Sequence, residues 1–333
     1  MLDDLSMPER GARLNRAAWH KPLISIIVTH QNYSEFVGDA LASLLDQTHQ
    51  NWECVVVDDA SEAAHRERLE ASISSISDTR ISLHPLTQNV GQIHAFFAGH
   101  DRTSGDFVCL LDPDDRYAET FLEKALAAHL NETVICPIVS TDQYLMNERG
   151  IISGVLTRHK LRHLQGIGQG LRLDSAPLDL HFIPSEVRGW HWATTSSMMF
   201  RRAALNYLRP HRPLGSKTGA DSYLANGAHA LGGSLFLKKP LVYRSLHENN
   251  TWIRKDIYAT EQRQHRDDAF PGEEAILRVD AAEVLAHNGA PRASALLMRK
   301  DPRKGLLPKL SRSILKRLPF AKKKKSARDA QFR

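Results

Sequence analysis

The chain has 333 residues, of which 42% are hydrophobic and 25% charged, as is typical of globular proteins that fold around a substantial core. Its formal net charge of +6 comes from one end, because residues 299–333 hold 14 Lys or Arg against two Asp. The other residues carry 30 basic and 36 acidic side chains, which confines any nucleic-acid-binding surface to that basic end.

The three cysteines, Cys54, Cys109 and Cys136, lie far apart, each within an apolar run. This pattern indicates reduced core residues rather than a disulfide or zinc framework. Residues 1–22 lack the apolar segment of a secretory signal, and no stretch reaches the roughly 20 apolar residues that a membrane span needs. We therefore expect a cytosolic, reducing location.

Between residues 22 and 130, short β-branched runs alternate with segments whose apolar residues have helical spacing. Strands are predicted over 23–30, 52–59, 80–86 and 106–112, and helices over 34–48, 62–76, 89–100 and 118–130. Ser34 is the predicted N-cap of the first helix. The alternation predicts βαβ units, and therefore an α/β fold whose parallel sheet is covered by helices on both faces.

The alternation ends after an apolar run at 134–146. Residues 150–190 show little periodicity and are interpreted as an inserted loop region. The remaining predicted elements are a strand turning into a helix over 191–205, a helix over 219–231, a strand or hairpin over 234–247, and two or three helices over 256–318.

Three carboxylates follow the strand predicted over 106–112, in the run FVCLLDPDDRY. Pro113 removes a backbone donor and favours extended backbone at Asp112, so the strand stops there and presents Asp114 and Asp115. Such carboxylates hold Mg²⁺ together with substrate phosphates, and a divalent-cation site is one interpretation of the crowding. A polar turn with helix-capping aspartates is the alternative.

Two other strand ends carry polar side chains, namely Thr29 and the pair Asp58–Asp59 in VVVDDAS. Ligands of parallel α/β sheets lie beyond the carboxyl ends of the strands, so we expect these residues and Asp112 to meet at one edge. A strand-end Asp accepts hydrogen bonds from a base or a ribose. The alternative is that Asp58 caps the following turn and Asp59 is solvated.

Asn89 and Gly91 open the helix predicted over 89–100. A glycine at such a strand-to-helix turn lets the backbone approach a ligand closely, and a helix N-terminus favours phosphate. An ordinary turn is the alternative.

In order and spacing, these segments resemble the N-terminal half of family 2 glycosyltransferases with the GT-A fold, through ISIIVTHQNYSEFVGDALASLLDQTHQNWECVVVDDAS, NVG and DFVCLLDPDD. The resemblance is close over 22–146 and looser over 191–247, where TSSMMFRRAAL, GADSYL and LVYRSLHENN are similar to acceptor-side segments. It implies a Rossmann-like, mostly parallel sheet flanked by helices, with a smaller acceptor-side region and C-terminal helices.

We divide the chain accordingly into an N-terminal extension (1–21), a glycosyltransferase domain (22–250), a helical extension (251–303) and a basic amphipathic tail (304–333). Within the domain, 22–146 is the predicted nucleotide-binding half. The predicted acceptor half is 147–250, which contains the insertion at 150–190.

The resemblance also implies roles for single residues. The residues expected to bind the nucleotide are Thr29, Asp58, Asp59, Asn89, Gly91 and Asp112. Those expected to hold Mn²⁺ or Mg²⁺ at the donor diphosphate are Asp114, Asp115 and His247. Asp221 matches the catalytic base, with a helix N-cap as its alternative, and a structural role is the alternative for His247. The candidate acceptor contacts are Trp190, Trp192 and Ser197, with core packing as the alternative for the tryptophans.

Two positions depart from the family's pattern. The Arg and Asn of its GxxxARN run are replaced by Phe96 and Phe97, which puts a phosphate contact from that helix in doubt. The common Glu-Asp pair before the acceptor-side helix is here Ala220–Asp221, which leaves one acid to act as base.

The tail over 304–325 places six apolar residues among basic ones: Leu306, Leu307, Leu310, Ile314, Leu315 and Leu318. Such a stretch is typical of helices that lie on anionic membranes. Pro308 and Pro319 interrupt it, so a disordered end is the alternative. Nucleic acid is not expected as a partner, because the stretch lacks an aromatic and basic stacking platform.

We therefore expect an inverting, metal-dependent glycosyltransferase that moves a sugar from a nucleotide-diphosphate donor, with UDP-sugars favoured, to a glycan or lipid-linked acceptor in surface polysaccharide assembly. It would act in the cytosol or peripherally at the membrane. One rival is a nucleotidyltransferase, but the Gly-rich loop with Lys or Arg that follows its first strand is missing from VTHQNYSEF. The other rival is a catalytically inactive GT-A-like binding module.

Overall fold

A mixed β-sheet forms the centre of the computed structural model, which describes residues 21–147, 149–150, 152–158, 170–173, 178–247 and 271–299. The first strands along the chain are β1 (Ile24–His30), β2 (Trp52–Asp58), β3 (Ile81–Pro85) and β4 (Phe107–Leu111). They lie in the order β3-β2-β1-β4, and each neighbouring pair is parallel. This confirms the predicted α/β class and the parallel run.

Helices connect these strands, as the apolar spacing predicted. They are α1 (Val37–Leu45), α2 (Ala63–Ile76), α3 (Gln92–His100) and α4 (Phe121–His129). The prediction that Ser34 caps the first helix is wrong. Phe36 occupies the N-cap position of α1, and the Ser34 Oγ lies 2.8 Å from the Nδ1 atom of His65 instead.

The sheet continues beyond β4 with strands from the second half of the chain. They are β5 (Arg116–Tyr117), β6 (Ile138–Asn147), β7 (Ile152–Val155), β8 (Leu171–Leu173), β9 (Leu180–Ile183), β10 (Met198–Arg201) and β11 (Ser234–Leu246). From β4 the order is β10-β6-β11-β9-β8. β10 is antiparallel to both β4 and β6, and β11 runs parallel to β6.

Two predictions about this half need correction. Residues 150–190 were interpreted as loop, but β7, β8 and β9 lie within them and pair with β6, with β9 and with β11, respectively. Short strands with little alternation of polarity give no period to detect. The segment predicted as strand or hairpin over 234–247 is one strand, β11, with register shifts between Leu237 and Val242.

The later helices are α5 (Arg202–Asn206), α6 (Ala220–Gly232), α7 (Pro271–His287) and α8 (Pro291–Met298). The two last belong to the predicted helical extension. Residues 251–270 and 300–303 of that extension, residues 1–20 of the predicted N-terminal extension and the basic tail lie outside the described residues. Among the described helices, none is both long and apolar enough to cross a bilayer.

Two hydrophobic clusters cover opposite faces of the sheet, because successive residues of a strand point to opposite sides. Ile26 and Val56 belong to the cluster that contains residues of α1, α2 and α4. Ile27 and Val57 belong to the other cluster, with residues of α3, α6, α7 and α8. The C-terminal helices therefore pack on the same face as α3 and α6, and this arrangement brings α7 close to one wall of the site described next.

Candidate active site

A cleft of about 420 Å³ lies where the carboxyl ends of β1, β2 and β4 meet. Antiparallel β10 brings the residues before its first residue to the same edge, and β11 brings its last residues there. The predicted site residues that line the cleft are Thr29, Asp59, Asn89, Gly91, Asp112, Asp114, Asp115 and Asp221. Parallel strands thus gather at one edge side chains that are up to 192 positions apart in the chain.

Asp59 holds the turn at the start of α3. Its Oδ1 accepts the N–H of Val90 at 2.7 Å, and its Oδ2 accepts the N–H of Gly91 at 2.8 Å. Gly91 has a φ of +86°, which L side chains rarely adopt, and a Cβ there would lie 2.8 Å from the Cα of Lys217. The glycine is therefore needed for a close approach within the protein, in addition to any approach to a ligand.

We expect Gly91→Ala to lower the free energy of unfolding by about 1–3 kcal/mol, because the new methyl group strains φ and collides with backbone. The matched control is Gly38→Ala in α1, where a Cβ would meet nothing within 4 Å. That change should be neutral or stabilise by about 0.5–1 kcal/mol, since alanine favours helix. Denaturant unfolding of both variants checks this, and wild-type stability of Gly91→Ala would contradict it.

Thr29 lies beside this turn at the end of β1. Its Oγ1 is buried and has no hydrogen-bond partner among the described residues, although the residue lines the cleft. A buried hydroxyl without a partner is costly, so this atom is suited to a hydrogen bond from or to a ligand.

Asp112 lies at the centre of the acidic cluster. Its Oδ1 accepts the side-chain amide of Gln92 at 3.0 Å, and its Oδ2 accepts the hydroxyl of Thr195 at 3.0 Å. Burial, followed by the charges of Asp114 and Asp221, raises the pKa of Asp112 to about 7. Ionising all of these acids together is therefore costly unless positive charge enters the cleft.

Asp114 is the acid of the cluster that contacts His247. The two residues are 133 positions apart, and the Nε2 of His247 lies 3.0 Å from the Oδ2 of Asp114. The imidazole stacks on Phe36, with ring centroids 4.4 Å apart. The side chain of Asp114 is 13% exposed, so its carboxylate is accessible from the cleft but held from the side by the histidine.

Both carboxylate oxygens of Asp115 have protein partners. Its Oδ2 accepts the hydroxyl of Ser196 at 2.6 Å, and its Oδ1 accepts the N–H of Ser245 at 3.1 Å. Burial, followed by the charges of Asp114 and Asp112, raises the pKa of Asp115 well above its usual range. These contacts connect β11 to the end of β4, and they favour a positioning role over the predicted metal contact.

Asp221 lies in the first turn of α6 and lines the cleft. Gly219 is the N-cap residue, which corrects the alternative that Asp221 caps this helix. The Oδ1 of Asp221 accepts the N–H of Ser222 at 2.7 Å. The carboxylate therefore has a fixed direction and lies close enough to Asp112 for its charge to raise the pKa of that residue.

A divalent cation fits this arrangement of residues. Oxygen ligands are those that Mg²⁺ and Mn²⁺ prefer. Positive charge would favour the ionised form of Asp112, whose pKa is raised by burial and then by the charges of Asp114 and Asp221. Among the described residues, no group of three or more His, Cys, Asp or Glu is arranged to hold a metal. Asp114 and His247 would therefore contribute ligands that a bound diphosphate and water complete.

A family model described as "Glycosyl transferase family 2" matches residues 25–206. This span is more than half of the chain and includes β1 to β4 and the acidic cluster. The chain belongs to glycosyl transferase family 2. The predicted resemblance is confirmed.

Curated relatives of this glycosyltransferase agree. It is 34% identical over 130 residues to "Putative teichuronic acid biosynthesis glycosyltransferase TuaG" of Bacillus subtilis, an alignment that covers 39% of this chain and 50% of that protein. It is 26% identical over 141 residues to "UDP-Glc:alpha-D-GlcNAc-diphosphoundecaprenol beta-1,3-glucosyltransferase WfgD" of Escherichia coli, which covers 42% and 53%. The chain thus spans about half the length of these relatives.

Solved structures show the fold. TarS of S. aureus, in complex with UDP-GlcNAc, gives a TM-score of 0.52 at 18% identity and covers 80% of this chain and 69% of that chain. The mannosyltransferase PcManGT of Pyrobaculum calidifontis, in complex with GDP-Man and Mn²⁺, gives 0.51 at 16% identity and covers 85% and 78%. The GT-A fold predicted for this glycosyltransferase is confirmed.

Asp58 does not lie in the cleft, although it was predicted to bind nucleotide. Its Oδ1 is 3.1 Å from the Nδ1 of His30, and its Oδ2 accepts the Nε–H of Arg66 at 3.0 Å. Burial acts to raise the pKa of Asp58, but hydrogen bonds from Ser61, His30 and Arg66 lower it below its usual value. The N–H of Ser61 also donates to its Oδ1, so the alternative of a turn cap matches the structure.

The predicted acceptor contacts also lie outside the lining of the cleft. Trp192 is fully buried in the hydrophobic cluster on the sheet face that α3 and α6 cover. Half-buried Trp190 packs edge-on against Trp192, with ring centroids 5.3 Å apart. Ser197 is buried, and its hydroxyl donates to the carbonyl of Thr194 at 2.6 Å. Core packing, the alternative for the tryptophans, matches their surroundings, and an acceptor contact of any of the three residues stays a prediction.

Several residues of the cleft were not predicted: Gln92, Thr195, Lys217 and Arg244. Gln92 and Thr195 contact Asp112, and the charge of Arg244 acts to lower the raised pKa of Asp112 and of Asp115. Arg244 could have been considered as a site residue, because it lies in the run LVYRSLHENN three positions before the predicted site residue His247. Lys217 had none, since a lysine in a polar loop is ordinary.

Proposed function

We propose that this protein is an inverting, metal-dependent glycosyltransferase that transfers a sugar from a UDP-linked donor to a glycan or lipid-linked acceptor in surface polysaccharide assembly. The observation that carries the proposal is one cleft with acids on two sides. Asp112, Asp114 and Asp115 follow β4, and Asp221 begins α6 on the acceptor side.

The donor assignment is supported by the polar groups at the ends of β1 and β2. Thr29 offers a buried hydroxyl that has no partner within the described part of the chain, and Asp59 shapes the neighbouring turn at Gly91. The relative from E. coli is named as a user of UDP-Glc, and the TarS structure contains UDP-GlcNAc, whereas PcManGT contains GDP-Man. Two of these three names contain a uridine nucleotide, and we therefore propose uridine as the nucleoside of the donor.

Asp114 and His247 would hold the cation at the donor's diphosphate. When bound, the cation would neutralise the negative charge that develops on the leaving phosphate oxygen. Asp112 and Asp115 keep the surrounding loop in place through hydrogen bonds to Gln92, Thr195 and Ser196. Their contribution is therefore to orient the site rather than to react.

Asp221 would remove the proton from the acceptor hydroxyl. The acceptor oxygen then forms a bond to the anomeric carbon while the bond from that carbon to the diphosphate oxygen breaks. The nucleoside diphosphate leaves with the electron pair. One displacement with no covalent intermediate inverts the configuration at the anomeric carbon, as in inverting glycosidases that use one base on the opposite face.

A panel of UDP-, GDP- and dTDP-sugars tests the proposal. We expect release of nucleoside diphosphate from one UDP-sugar with Mn²⁺ or Mg²⁺ and none after chelation by EDTA. Calorimetry should show that the metal strengthens UDP binding. Failure to bind any nucleoside diphosphate, with or without metal, would contradict the donor site, and product of retained configuration would contradict inversion.

The lipid-linked acceptor and the membrane contact of the basic tail remain predictions. The relatives named for teichuronic acid biosynthesis and for transfer to a diphosphoundecaprenol-linked sugar support an acceptor of this class. The tail at 304–333 lies outside the described residues.

A further inference from the structure

Residues 212–219, which we call the 212–219 segment, are held on one side by α7. Asp280 of α7 accepts two hydrogen bonds. The N–H of Gly215 donates to its Oδ2 at 2.8 Å, and the Nη2 of Arg212 donates to its Oδ1 at 2.7 Å. Gly219 packs so closely that a Cβ there would lie 2.6 Å from the Cδ1 of Leu277. Hence α7, outside the span matched by the family model, fixes the course of this segment.

On its other side, the 212–219 segment contacts the start of α3. The N–H of Gln92 donates to the carbonyl of Lys217 at 2.8 Å. There is no room for a side chain at position 91, because a Cβ added to Gly91 would lie 2.8 Å from the Cα of Lys217. The backbone of Lys217 is therefore positioned from two directions, as is typical of a residue whose side chain must point to one place.

The side chain of Lys217 lines the cleft, and its ammonium group is aimed by Asn89. The Nζ donates to the Oδ1 of Asn89 at 2.9 Å and to its carbonyl at 3.1 Å. An ammonium has three N–H donors, and over the described ranges the third one of Lys217 has no acceptor and the group has no carboxylate in ion-pair distance.

The charge of Lys217 is not offset by a carboxylate within the described part of the cleft. Of the described residues that line it, Lys217 and Arg244 carry a fixed positive charge. Arg244 acts on Asp112 and Asp115, whose charges it offsets. Helix α3 contains no Lys or Arg, and its Phe96 and Phe97 are buried in the core.

We propose that Lys217 binds a phosphate of the donor's diphosphate, aimed there by Asn89 and held by the contacts of the 212–219 segment. This inference rests on the proposed function and names a ligand for it. The shared chemistry is a phosphate anion, and we assign it to the donor rather than to an acceptor phosphate. The reason is that Asn89 and Gly91 lie beside Asp59 and Thr29, where the nucleoside is proposed.

The experiment compares UDP with uridine in the full-length protein, by calorimetry with Mn²⁺ present throughout. For Lys217→Gln we expect about a tenfold loss of UDP affinity, since a charge-assisted contact to phosphate is removed while glutamine can still donate to Asn89. Uridine affinity should stay within about twofold, since uridine has no phosphate for a lysine to contact. The matched control, Lys238→Gln, changes an exposed lysine of β11 that does not line the cleft and should alter neither affinity.

Two outcomes would overturn the proposal. Equal losses for UDP and uridine would show that Lys217 only supports the Asn89 turn. Unchanged UDP affinity, with a raised KM for the acceptor, would assign the lysine to the acceptor. If the wild-type protein bound neither UDP nor uridine, the proposed function itself would fail, which is a distinct result.

Discussion

Replacing Asp114 by asparagine should reduce metal-dependent release of nucleoside diphosphate by about 10³-fold or more, because it removes the charged ligand that faces the cleft. Asparagine keeps the size of the side chain and still offers an oxygen to His247, which lies 3.0 Å away in the wild type. The increase in UDP affinity on adding Mn²⁺ should disappear. Both are measured with purified protein and the UDP-sugar that the panel identifies.

The same substitution should leave thermal stability unchanged or raise it. The charge of Asp114 is a cause of the raised pKa of both Asp112 and Asp115, so its removal relieves repulsion between buried acids. The matched control is Asp46→Asn, at the C-cap of α1 and therefore at the opposite edge of the sheet. A folded Asp114→Asn variant that keeps metal-dependent turnover would show that Asp114 is not the metal ligand.

Asp221→Asn should stop transfer while preserving the donor complex. We expect the transfer rate to fall by about 10²–10⁴-fold, the usual contribution of a general base. UDP affinity in the presence of Mn²⁺ should stay within about threefold, because the proposed donor contacts lie on β1, β2 and the Asn89 turn instead. Single-turnover transfer and calorimetry measure the two quantities separately.

Asp39→Asn is the control for the alternative that Asp221 only stabilises the N-terminus of its helix. Asp39 is also an acid in the first turn of a helix, α1, but it is 72% exposed and does not line the cleft. Both substitutions remove a favourable charge at a helix N-terminus, worth about 0.3–1 kcal/mol of stability. If the two variants transferred sugar at the parental rate and lost only stability, Asp221 would be a helix-terminal acid and not the base.

The regular half of the fold could be predicted because its signals are local. The β-branched or apolar runs that became β1 and β4 are buried on both faces, and a continuous apolar run is how such a strand is recognised. Helix ends were harder to predict. Ser34 is a good N-cap by type, but its hydroxyl contacts His65 from α2, and a partner 31 positions away leaves no local pattern.

The candidate site divides in the same way. The strand-end rule brought Thr29, Asp59 and Asp112 to one edge, where the structure places them. Asp58 and Asp59 are indistinguishable by type, yet adjacent strand residues point to opposite faces, and Asp58 therefore faces His30 and Arg66. Trp192 illustrates the limit for aromatics, since a tryptophan that packs in a core and one that lines a cleft look alike in a sequence.

By itself, the sequence determined the α/β class, the parallel direction of the first strands and the set of acids that follow them, because each depends on residue types within a few positions. Only the tertiary structure decided which acid contacts His247, which acids already have protein partners, and that Lys217 enters the cleft. These depend on contacts between residues that are distant in the chain, such as Asp115 with Ser196 at 81 positions, Lys217 with Asn89 at 128 and His247 with Asp114 at 133. Their geometry is set by how β11, α6 and α7 pack around the sheet, and no short-range pattern encodes that packing.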